Sequence, residues 1–511
     1  MQFDCVAEFE FTKDLSEKKS ELDAVIEQAN KTVLRKGAKE VREAAQASDW
    51  QLSADGKTLT VRIESGAVVR AHAALIRLRN FLNEQLGPKL KAGIRGMTVK
   101  KFDVKGITLK QAALRPVEIT CFVDEVKTSG TSASLKLKDL TPALIEDGAV
   151  DRIIRLVEDK VEAQHYEGKG EAKKLLWASN AKQTHYDKDP AIELEARNWM
   201  RRTLAKAQFV FGPQFVSLAN AFKDLLQQEV YAKLGFREMF FPKFEPWAVP
   251  QRSGHAKSIY PEAFFVAVPK KSDPGLWQKE SDYFRITGEV FKDDFAPKLD
   301  FVGIMSYAQC PPFWRFLEGR VVLDESLPLR VFDWSGPTYR NEAGGTQGIA
   351  RLEEFHRIET LWVGTPVQVK KITQELSDAF TMFFNKTIDL DFQKNWITPW
   401  FLAQEGKRGL SDKASEGVGT TDFDAWLPYR GAREKSEWLE FQNVSNNGDK
   451  YPKAFSVKTQ GSAGSELWSG CAGGSLERWA CAFLAQKGFD KKDWPSAVRD
   501  RVELGNEVKF A

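Results

Sequence analysis

Residues 339 to 362 read Tyr-Arg-Asn-Glu-Ala-Gly-Gly-Thr-Gln-Gly-Ile-Ala-Arg-Leu-Glu-Glu-Phe-His-Arg-Ile-Glu-Thr-Leu-Trp. A short segment that ends at Glu342 leads into a glycine-rich turn, and a longer extended segment follows. The stretch therefore predicts a hairpin with an oversized loop. Alternate residues of a strand share a face. Counted in twos, one face carries Arg351, Glu353, Phe355, Arg357 and Glu359. A solvated sheet face could show the same alternation, so the strand alone leaves both interpretations open.

Five residues of this stretch have the spacing Arg-x-Glu, a variable loop and then Arg-x-x-x-Phe-x-x-x-Glu. They are Arg340, Glu342, Arg351, Phe355 and Glu359. This spacing resembles motif 2 of the class II aminoacyl-tRNA synthetases. ATP requires a cation at its α-phosphate, a carbonyl or carboxylate for the adenine amino group, and a flat surface for the ring. The resemblance implies an α+β fold in which an antiparallel β-sheet flanked by helices binds ATP.

Length and composition set the outer bounds. The chain has 511 residues, 42% of them hydrophobic and 28% charged, which is typical of globular proteins and predicts about three domains. The sequence has neither a long apolar run nor a signal pattern, so we expect no membrane span. Five cysteines without CxxC spacing favour a cytoplasmic protein over a disulfide scaffold. The net charge is only +3, so a nucleic-acid surface has to come from local clustering.

Two further segments support the resemblance, because they stand in the order of the family's motifs. A helix predicted from Phe215 to Gly235, followed by a strand that ends at Pro242, resembles motif 1. In this family motif 1 forms the dimer interface, so the resemblance implies a homodimer. Gly473, Gly474 and then Arg478 resemble motif 3, where glycines let the backbone approach ATP.

The remaining chain divides into three parts by composition. Residues 1–170 mix strand-like and helix-like segments, and we interpret them as an N-terminal tRNA-binding domain. Helices are predicted over residues 15–47 and 66–86, and strands over residues 2–12 and 59–63. Residues 171–210 are interpreted as a linker and connecting helix, the helix over 191–208. Residues 211–511 form the predicted catalytic domain.

The N-terminal part contains a basic cluster. Its candidate tRNA-binding cations are Arg70, Arg77, Arg79, Arg95, Lys100 and Lys101. A charge run is usually a solvated face. In a chain that resembles a synthetase, a phosphate-contacting surface is the preferred interpretation.

The whole chain resembles the rare, zinc-dependent, methanogenic-type seryl-tRNA synthetases of archaea. This resemblance implies one Zn²⁺ per subunit in the amino-acid pocket, held by Cys310, Glu359 and Cys471. Three protein ligands and one open position are typical of a catalytic rather than a structural zinc. It also implies a small helical insert around 396–419 that covers bound serine.

The resemblance further implies which residues contact the substrates. Glu440 and Asn443 match the Glu-x-x-Ser/Asn segment that holds Mg²⁺ with ATP, since this ion prefers oxygen ligands and phosphates. Arg340, Arg351 and Arg478 would stabilise the charge that develops on the phosphates. The expected ATP contacts are Arg340, Glu342, Arg351, Phe355, Glu440, Asn443 and Arg478. The expected serine contacts are Arg340, Glu342, Arg357, Glu359, Trp400, Gln404, Asn443 and Ser445.

The implied activity is activation of serine with ATP and its transfer to tRNA(Ser), with tRNA(Sec) as a second candidate substrate. Three alternatives remain open: a threonyl-type enzyme, a paralogue that loads a carrier protein, and a non-catalytic binding protein on the same fold. The Gln309-Cys-Pro-Pro segment is similar to a threonyl Asn-Cys-Pro-Gly segment. The chain has no histidines at the positions of the other threonyl ligands. All five histidines (72, 165, 185, 255 and 356) are interpreted as structural or surface residues.

Overall fold

The computed structural model describes residues 1–167, 170, 172–291, 296–342, 345–399, 402–403, 409, 417–461 and 466–505. The chain separates into two compact units, one that begins at Met1 and one that begins at Gly170. None of the described helices is long and apolar enough to cross a membrane.

Unit 1 is an antiparallel sheet packed against helices. Its strands are β1 (Gln2–Phe11), β2 (Gln46–Leu52), β3 (Thr58–Ser65), β4 (Ile94–Thr108), β5 (Val123–Ser129) and β6 (Ser132–Leu137). Within the described part of the unit they pair in the order β2-β3-β1-β4-β6-β5. Alternation along β1 buries Phe3, Cys5, Ala7, Phe9 and Phe11. This period of two places one face of the sheet in the core.

The helices of unit 1 are shorter than the sequence predicted. They are α1 (Lys19–Lys31), α2 (Ala71–Leu90), α3 (Pro142–Glu146) and α4 (Ala149–Gln164). The helix predicted over 15–47 ends at Lys31, because Thr32 leaves the helical region with a φ of −121° and a ψ of −88°. Gly37, with a φ of 99°, then keeps the chain from returning to a helix. The chain resumes as β2 from Gln46. The prediction was therefore wrong about the second half of that helix.

Unit 2 contains the larger sheet. Its strands are β7 (Lys173–Ala178), β8 (Met200–Arg202), β9 (Phe209–Phe211), β10 (Arg237–Glu238), β11 (Phe244–Pro246), β12 (Phe265–Pro269), β13 (Leu299–Met305), β14 (Val321–Val322), β15 (Leu329–Asp333), β16 (Pro337–Tyr339), β17 (Glu354–Gly364), β18 (Phe392–Ile397), β19 (Gly419–Ala425), β20 (Leu439–Gly448), β21 (Lys458–Thr459) and β22 (Trp468–Ser475). In the described residues, the main sheet runs β10-β15-β17-β22-β20-β19-β18-β7, and β16 pairs with β17.

The helices of unit 2 lie on both sides of this sheet. They are α5 (Pro190–Ala196), α6 (Pro213–Leu226), α7 (Ala232–Leu234), α8 (Ala248–Ser253), α9 (Gln278–Thr287), α10 (Cys310–Leu317), α11 (Pro366–Met382), α12 (Lys450–Ala454), α13 (Leu476–Lys487) and α14 (Ser496–Arg499). Helices α6, α11 and α13 bury their apolar sides in one large core with Trp362. On the other face of β17, Leu361 packs with Cys310 and Trp314 of α10.

The helix of the motif 1 segment follows its prediction, whereas the strand predicted to end at Pro242 is shorter and covers only Arg237–Glu238. Helix α6 continues through a π turn at Gln227–Tyr231 into α7, and Gly235 ends it with a φ of 71°. Strand β10 then pairs in parallel with β15 at the edge of the main sheet.

The segment 171–210 differs from its prediction as a linker and helix. Strand β7 pairs with β18 at the far edge of the main sheet, so this part belongs to the fold of unit 2. Helix α5 ends at Ala196 rather than at 208, because Asn198 takes a φ of 58° and β8 and β9 form a hairpin after it. Most of the helical insert predicted around 396–419 lies outside the described residues.

Candidate active site

The central strands of the main sheet bring motif 2, motif 3 and the segment that contains Glu440 and Asn443 side by side. Glu359 on β17 lies opposite Gly473 on β22, and Gly473 lies opposite Asn443 on β20. The next row places Cys471 opposite Ser445. Because residues two apart share a face, these side chains face one concave surface.

That surface is a pocket of about 540 Å³. Its lining includes the predicted residues Cys310, Arg340, Glu342, Phe355, Arg357, Glu359, Glu440, Asn443, Ser445, Cys471 and Arg478. The structure therefore brings together residues that are up to 168 positions apart in the chain. Trp400 and Gln404 lie outside the described residues.

One end of the pocket carries a carboxylate, an amide and a guanidinium in mutual contact. Arg478 donates from Nη1 to the Glu440 carbonyl at 2.8 Å and to its Oε2 at 3.2 Å. Asn443 donates from Nδ2 to Glu440 Oε1 at 3.3 Å. Burial raises the pKa of Glu440, but the Arg478 charge and the Asn443 hydrogen bond outweigh it, so that the pKa falls below its ordinary value. Glu440 is therefore a carboxylate at neutral pH.

The hairpin of β16 and β17 supplies the opposite wall of the pocket. Thr338 on β16 pairs with Phe355 on β17, as the sequence predicted for two strands joined by a long loop. Arg351 is not part of the described pocket lining. Its Nε donates to Glu342 Oε2 at 2.6 Å, which ties the two ends of the loop together. Its predicted contact with ATP remains a prediction.

The pocket lining also contains two buried thiols and a buried carboxylate. Cys310, at the first turn of α10, and Cys471, on β22, are both buried, and Glu359 is 1% exposed. Burial, and then the charge of Glu359, raise the pKa of both thiols, that of Cys471 to about 12. Arg357 donates from Nε to Glu359 Oε2 at 2.5 Å. Asn447 donates to Cys471 Sγ at 3.3 Å.

No group of three or more His, Cys, Asp or Glu side chains in the described part of the chain is arranged so that it could hold a metal ion. The predicted zinc ligands do share one pocket, and their charges interact. In this arrangement, however, the Glu359 carboxylate is bound to Arg357. The assignment of a metal to these three residues is therefore a proposal.

The comparisons with known proteins cover both units. Residues 1–159 match the family model of a tRNA-binding domain. Residues 304–487 match the tRNA synthetase class II core domain of the G, H, P, S and T type. A type-2 serine–tRNA ligase from Methanococcoides burtonii is 41% identical over 512 residues, which are 100% of this chain and 99% of that protein. The chain belongs to the type-2 serine–tRNA ligase family.

Another member of the family and a solved structure are similar to this chain over nearly its full length. The type-2 serine–tRNA ligase of Methanothrix thermoacetophila is 40% identical and covers 100% of both chains. Among solved structures, M. kandleri SerRS in complex with A. aeolicus tRNASec matches with a TM-score of 0.78 and 26% identity, over 98% of this chain and 96% of that one. The family and the α+β class II fold expected from the motifs are thus confirmed.

In this member of the family, the candidate tRNA-binding cations of unit 1 bond to groups of their own unit. Four pair with single carboxylates: Arg70 with Asp151, Arg79 with Glu146, Arg95 with Glu10 and Lys100 with Glu8. Lys101 lies between Asp4 and Asp103, and Arg77 donates to the carbonyl of Lys36. Such pairs on a surface are weak, so a polyanion could displace the carboxylates.

Several pocket residues of this serine–tRNA ligase family member were not found from its sequence. His255, Glu262, Tyr307 and Asp422 line the pocket. Asp422 lies opposite Asn443 and so extends the motif row, a signal that strand alternation could have supplied. His255 was expected to be structural or on the surface. It is buried beside Ser253, with Oγ and Nδ1 2.6 Å apart, and burial lowers its pKa well below the ordinary value.

Proposed function

We propose that this chain joins serine to tRNA in two steps. The serine carboxylate attacks the α-phosphate of ATP, which forms seryl-adenylate and releases pyrophosphate. The terminal ribose hydroxyl of the tRNA then attacks the serine carbonyl and AMP leaves. The observation that supports this most strongly is the convergence of residues from motif 2, motif 3 and the Glu440–Asn443 segment on one pocket, in a chain 41% identical to a serine–tRNA ligase over its whole length.

The first step requires charge stabilisation rather than a protein nucleophile. Arg340 lies on the motif 2 side of the pocket and would bind the α-phosphate. Arg478, held between the Ala350 carbonyl and Glu440, would bind the outer phosphates. Glu440 keeps its negative charge at neutral pH and, with Asn443, offers the oxygen ligands that suit Mg²⁺ bound to ATP.

The donor types of Cys310, Cys471 and Glu359 suit zinc, and the three side chains would have to move closer together, with Glu359 turning from Arg357, to hold the ion. Two thiols and a carboxylate converge in the pocket, and such ligands bind zinc once the thiols lose their protons. When bound there, zinc would supply a Lewis-acid contact for the serine amino group. Arg357 donates a hydrogen bond to Glu359, so it would help to orient this carboxylate.

Serine would be recognised by polar groups next to these ligands. The Ser445 and Thr420 hydroxyl oxygens lie 2.8 Å apart in the row that contains Cys471. A site built to pair with a hydroxyl rejects alanine strongly, because its own buried polar groups would otherwise lose their partners. Asn443, Arg357, Glu342, Trp400 and Gln404 complete the proposed contacts.

The proposed partners follow from the same assignment. Unit 1, which matches a tRNA-binding domain, would hold the arm of tRNA(Ser), mainly through phosphates and shape. M. kandleri SerRS was crystallised with a tRNASec, so tRNA(Sec) is a second candidate substrate. A homodimer through α6 and β10, in a cytoplasmic compartment that keeps all five cysteines free, completes the proposal.

Exchange of labelled pyrophosphate into ATP tests the first step, with each of the twenty amino acids supplied in turn. Exchange with serine alone is expected. Exchange with threonine would favour the threonyl-type alternative, and no exchange at all would favour a binding protein. Transfer of labelled serine to purified tRNA(Ser) then separates a tRNA ligase from a carrier-loading paralogue.

A further inference from the structure

The guanidinium of Arg340 packs against the ring of Tyr307, a residue that belongs to none of the motifs. Its guanidinium carbon lies 4.5 Å from the ring centroid of Tyr307, and its Nε donates to the Tyr307 carbonyl at 3.4 Å. The Tyr307 hydroxyl donates to Glu262 Oε2 at 2.5 Å. Burial raises the pKa of that hydroxyl, so it keeps its proton at neutral pH. All three residues line the pocket.

The hairpin residues on either side of Arg340 form hydrogen bonds to the segments that contain Tyr307 and Glu262. Before it, Tyr339 donates its backbone N–H to Ser306 at 2.9 Å. After it, Asn341 donates its backbone N–H to the Glu262 carbonyl at 2.8 Å and its Nδ2 to the Pro261 carbonyl at 2.9 Å. Three consecutive hairpin residues therefore contact residues 306–307 or 261–262, and the end of β16 is fixed in place.

We propose that Tyr307 and Glu262 are positioning residues that hold Arg340 in line with the α-phosphate of ATP. This inference rests on the proposed function. A carboxylate in the place of the ring would neutralise the guanidinium and compete with the phosphate. An aromatic face instead attracts the cation through its quadrupole and leaves its N–H groups available to a ligand. Glu262 accepts the hydroxyl proton and fixes the ring, so Arg340 loses its rotamer freedom before ATP binds.

Substitutions separate the ring from the hydroxyl. Tyr307→Phe keeps the ring and removes its link to Glu262, whereas Tyr307→Leu removes the ring. We expect Tyr307→Leu to raise the KM for ATP about tenfold and to lower kcat/KM in pyrophosphate exchange about 100-fold, because a misplaced group costs about this much. Tyr307→Phe and Glu262→Ala should each show a smaller loss, and their combination should be no worse than either one. Glu262→Gln keeps an acceptor oxygen and should restore most of the activity.

Two readouts distinguish positioning from a merely structural role. The KM for serine should rise less than the KM for ATP, and discrimination between the two α-phosphorothioate diastereomers of ATP should fall in Tyr307→Leu. Tyr260→Phe is the matched control, since Tyr260 lies in the same segment and is 56% exposed. Equal increases in both KM values, or unchanged discrimination, would overturn the proposal.

Failure of the proposed function would appear differently. If the wild-type protein shows no serine-dependent exchange, the proposed function is wrong. Equilibrium dialysis then still measures how Tyr307 and Glu262 affect the dissociation constant for ATP. An ATP dissociation constant that is unchanged in both Tyr307 variants would overturn the inference. Weaker ATP binding in Tyr307→Leu than in Tyr307→Phe would sustain it.

Discussion

Replacing Gly473 with alanine tests whether the motif 3 glycine makes room for the guanidinium of Arg357. A Cβ at Gly473 would lie 2.0 Å from Arg357 Nη2 and 2.6 Å from its Cζ. A Cβ atom does not approach a non-bonded heavy atom this closely, so the guanidinium of Arg357 has to move. Its position also decides how Glu359 is held, because Arg357 donates to that carboxylate.

The size of the effect follows from the surroundings. The Arg357 side chain is 14% exposed and the Glu359 side chain 1%, so little space is available for relaxation. Overpacking of a buried site costs about 1–3 kcal/mol of folding free energy. A shift of about 1 Å at a group that positions a substrate costs about 100-fold in rate. We expect Gly473→Ala to lose about 100-fold in kcat/KM for serine, with a much smaller change in the KM for ATP.

Serine-dependent pyrophosphate exchange measures the loss of kcat/KM, and thermal unfolding measures the loss of folding free energy. Gly87→Ala is the control, because a Cβ on this α2 glycine meets no atom within 4 Å and a helical alanine is favoured. Wild-type kinetics in a stable Gly473→Ala protein would refute the argument that this glycine creates space for Arg357. If kcat/KM fell equally for ATP and for serine, the substitution would be acting on the whole pocket rather than through Arg357.

Three further predictions concern metal, pH and tRNA. Cys471→Ser should lose zinc, measured by metal analysis, together with exchange activity. The hydrogen bond to Glu477 raises the pKa of His356, so the stability that this pair contributes is complete below pH 6.5 and is lost as the pH rises through the raised pKa. His356→Gln should therefore flatten the dependence of Tm on pH above pH 6.5. Arg95→Ala combined with Lys100→Ala should raise the KM for tRNA and reduce its salt dependence by about two phosphate contacts.

Each of these has a contrary result. Cys121→Ser, which changes an exposed thiol, is the metal control, and a Cys471→Ser protein that lost zinc but stayed fully active would exclude the zinc proposal. A His356→Gln protein with an unchanged pH profile would show that the pair with Glu477 is not the titrating group. Unaltered salt dependence in the double variant would move the tRNA surface to other residues of unit 1.

The family fold could be predicted from the sequence because its evidence is local. Motif 2 carries its turn glycines and alternating charges within 24 residues, and motif 1 ends with a glycine and a proline. The order of the motifs then identifies the sheet, whereas the register of β17, β22 and β20, which brings Glu359, Gly473 and Asn443 together, is seen only in the structure.

The rest depends on contacts between distant segments. Tyr307 and Glu262 belong to no motif, and only the folded chain places them against Arg340. Residues 173–178 read Lys-Lys-Leu-Leu-Trp-Ala and were assigned to a linker, because their pairing with β18, more than 200 residues later in the chain, is not visible in the local sequence. The helix predicted over 15–47 was too long, because hydrophobic periodicity does not reveal that the backbone leaves helical dihedrals at Thr32.

The row that crosses β17, β22 and β20 also limits how such a site can change over time. Each strand contributes every second residue to the row. Deleting one residue from any of the three strands would therefore move its pocket side chains to the other face of the sheet. Length changes can accumulate only beyond the strand ends, as in the loop that joins β16 to β17. New specificities on this scaffold would therefore arise by exchanging side chains in place and by remodelling the connecting loops, while the spacing of the row stays constant.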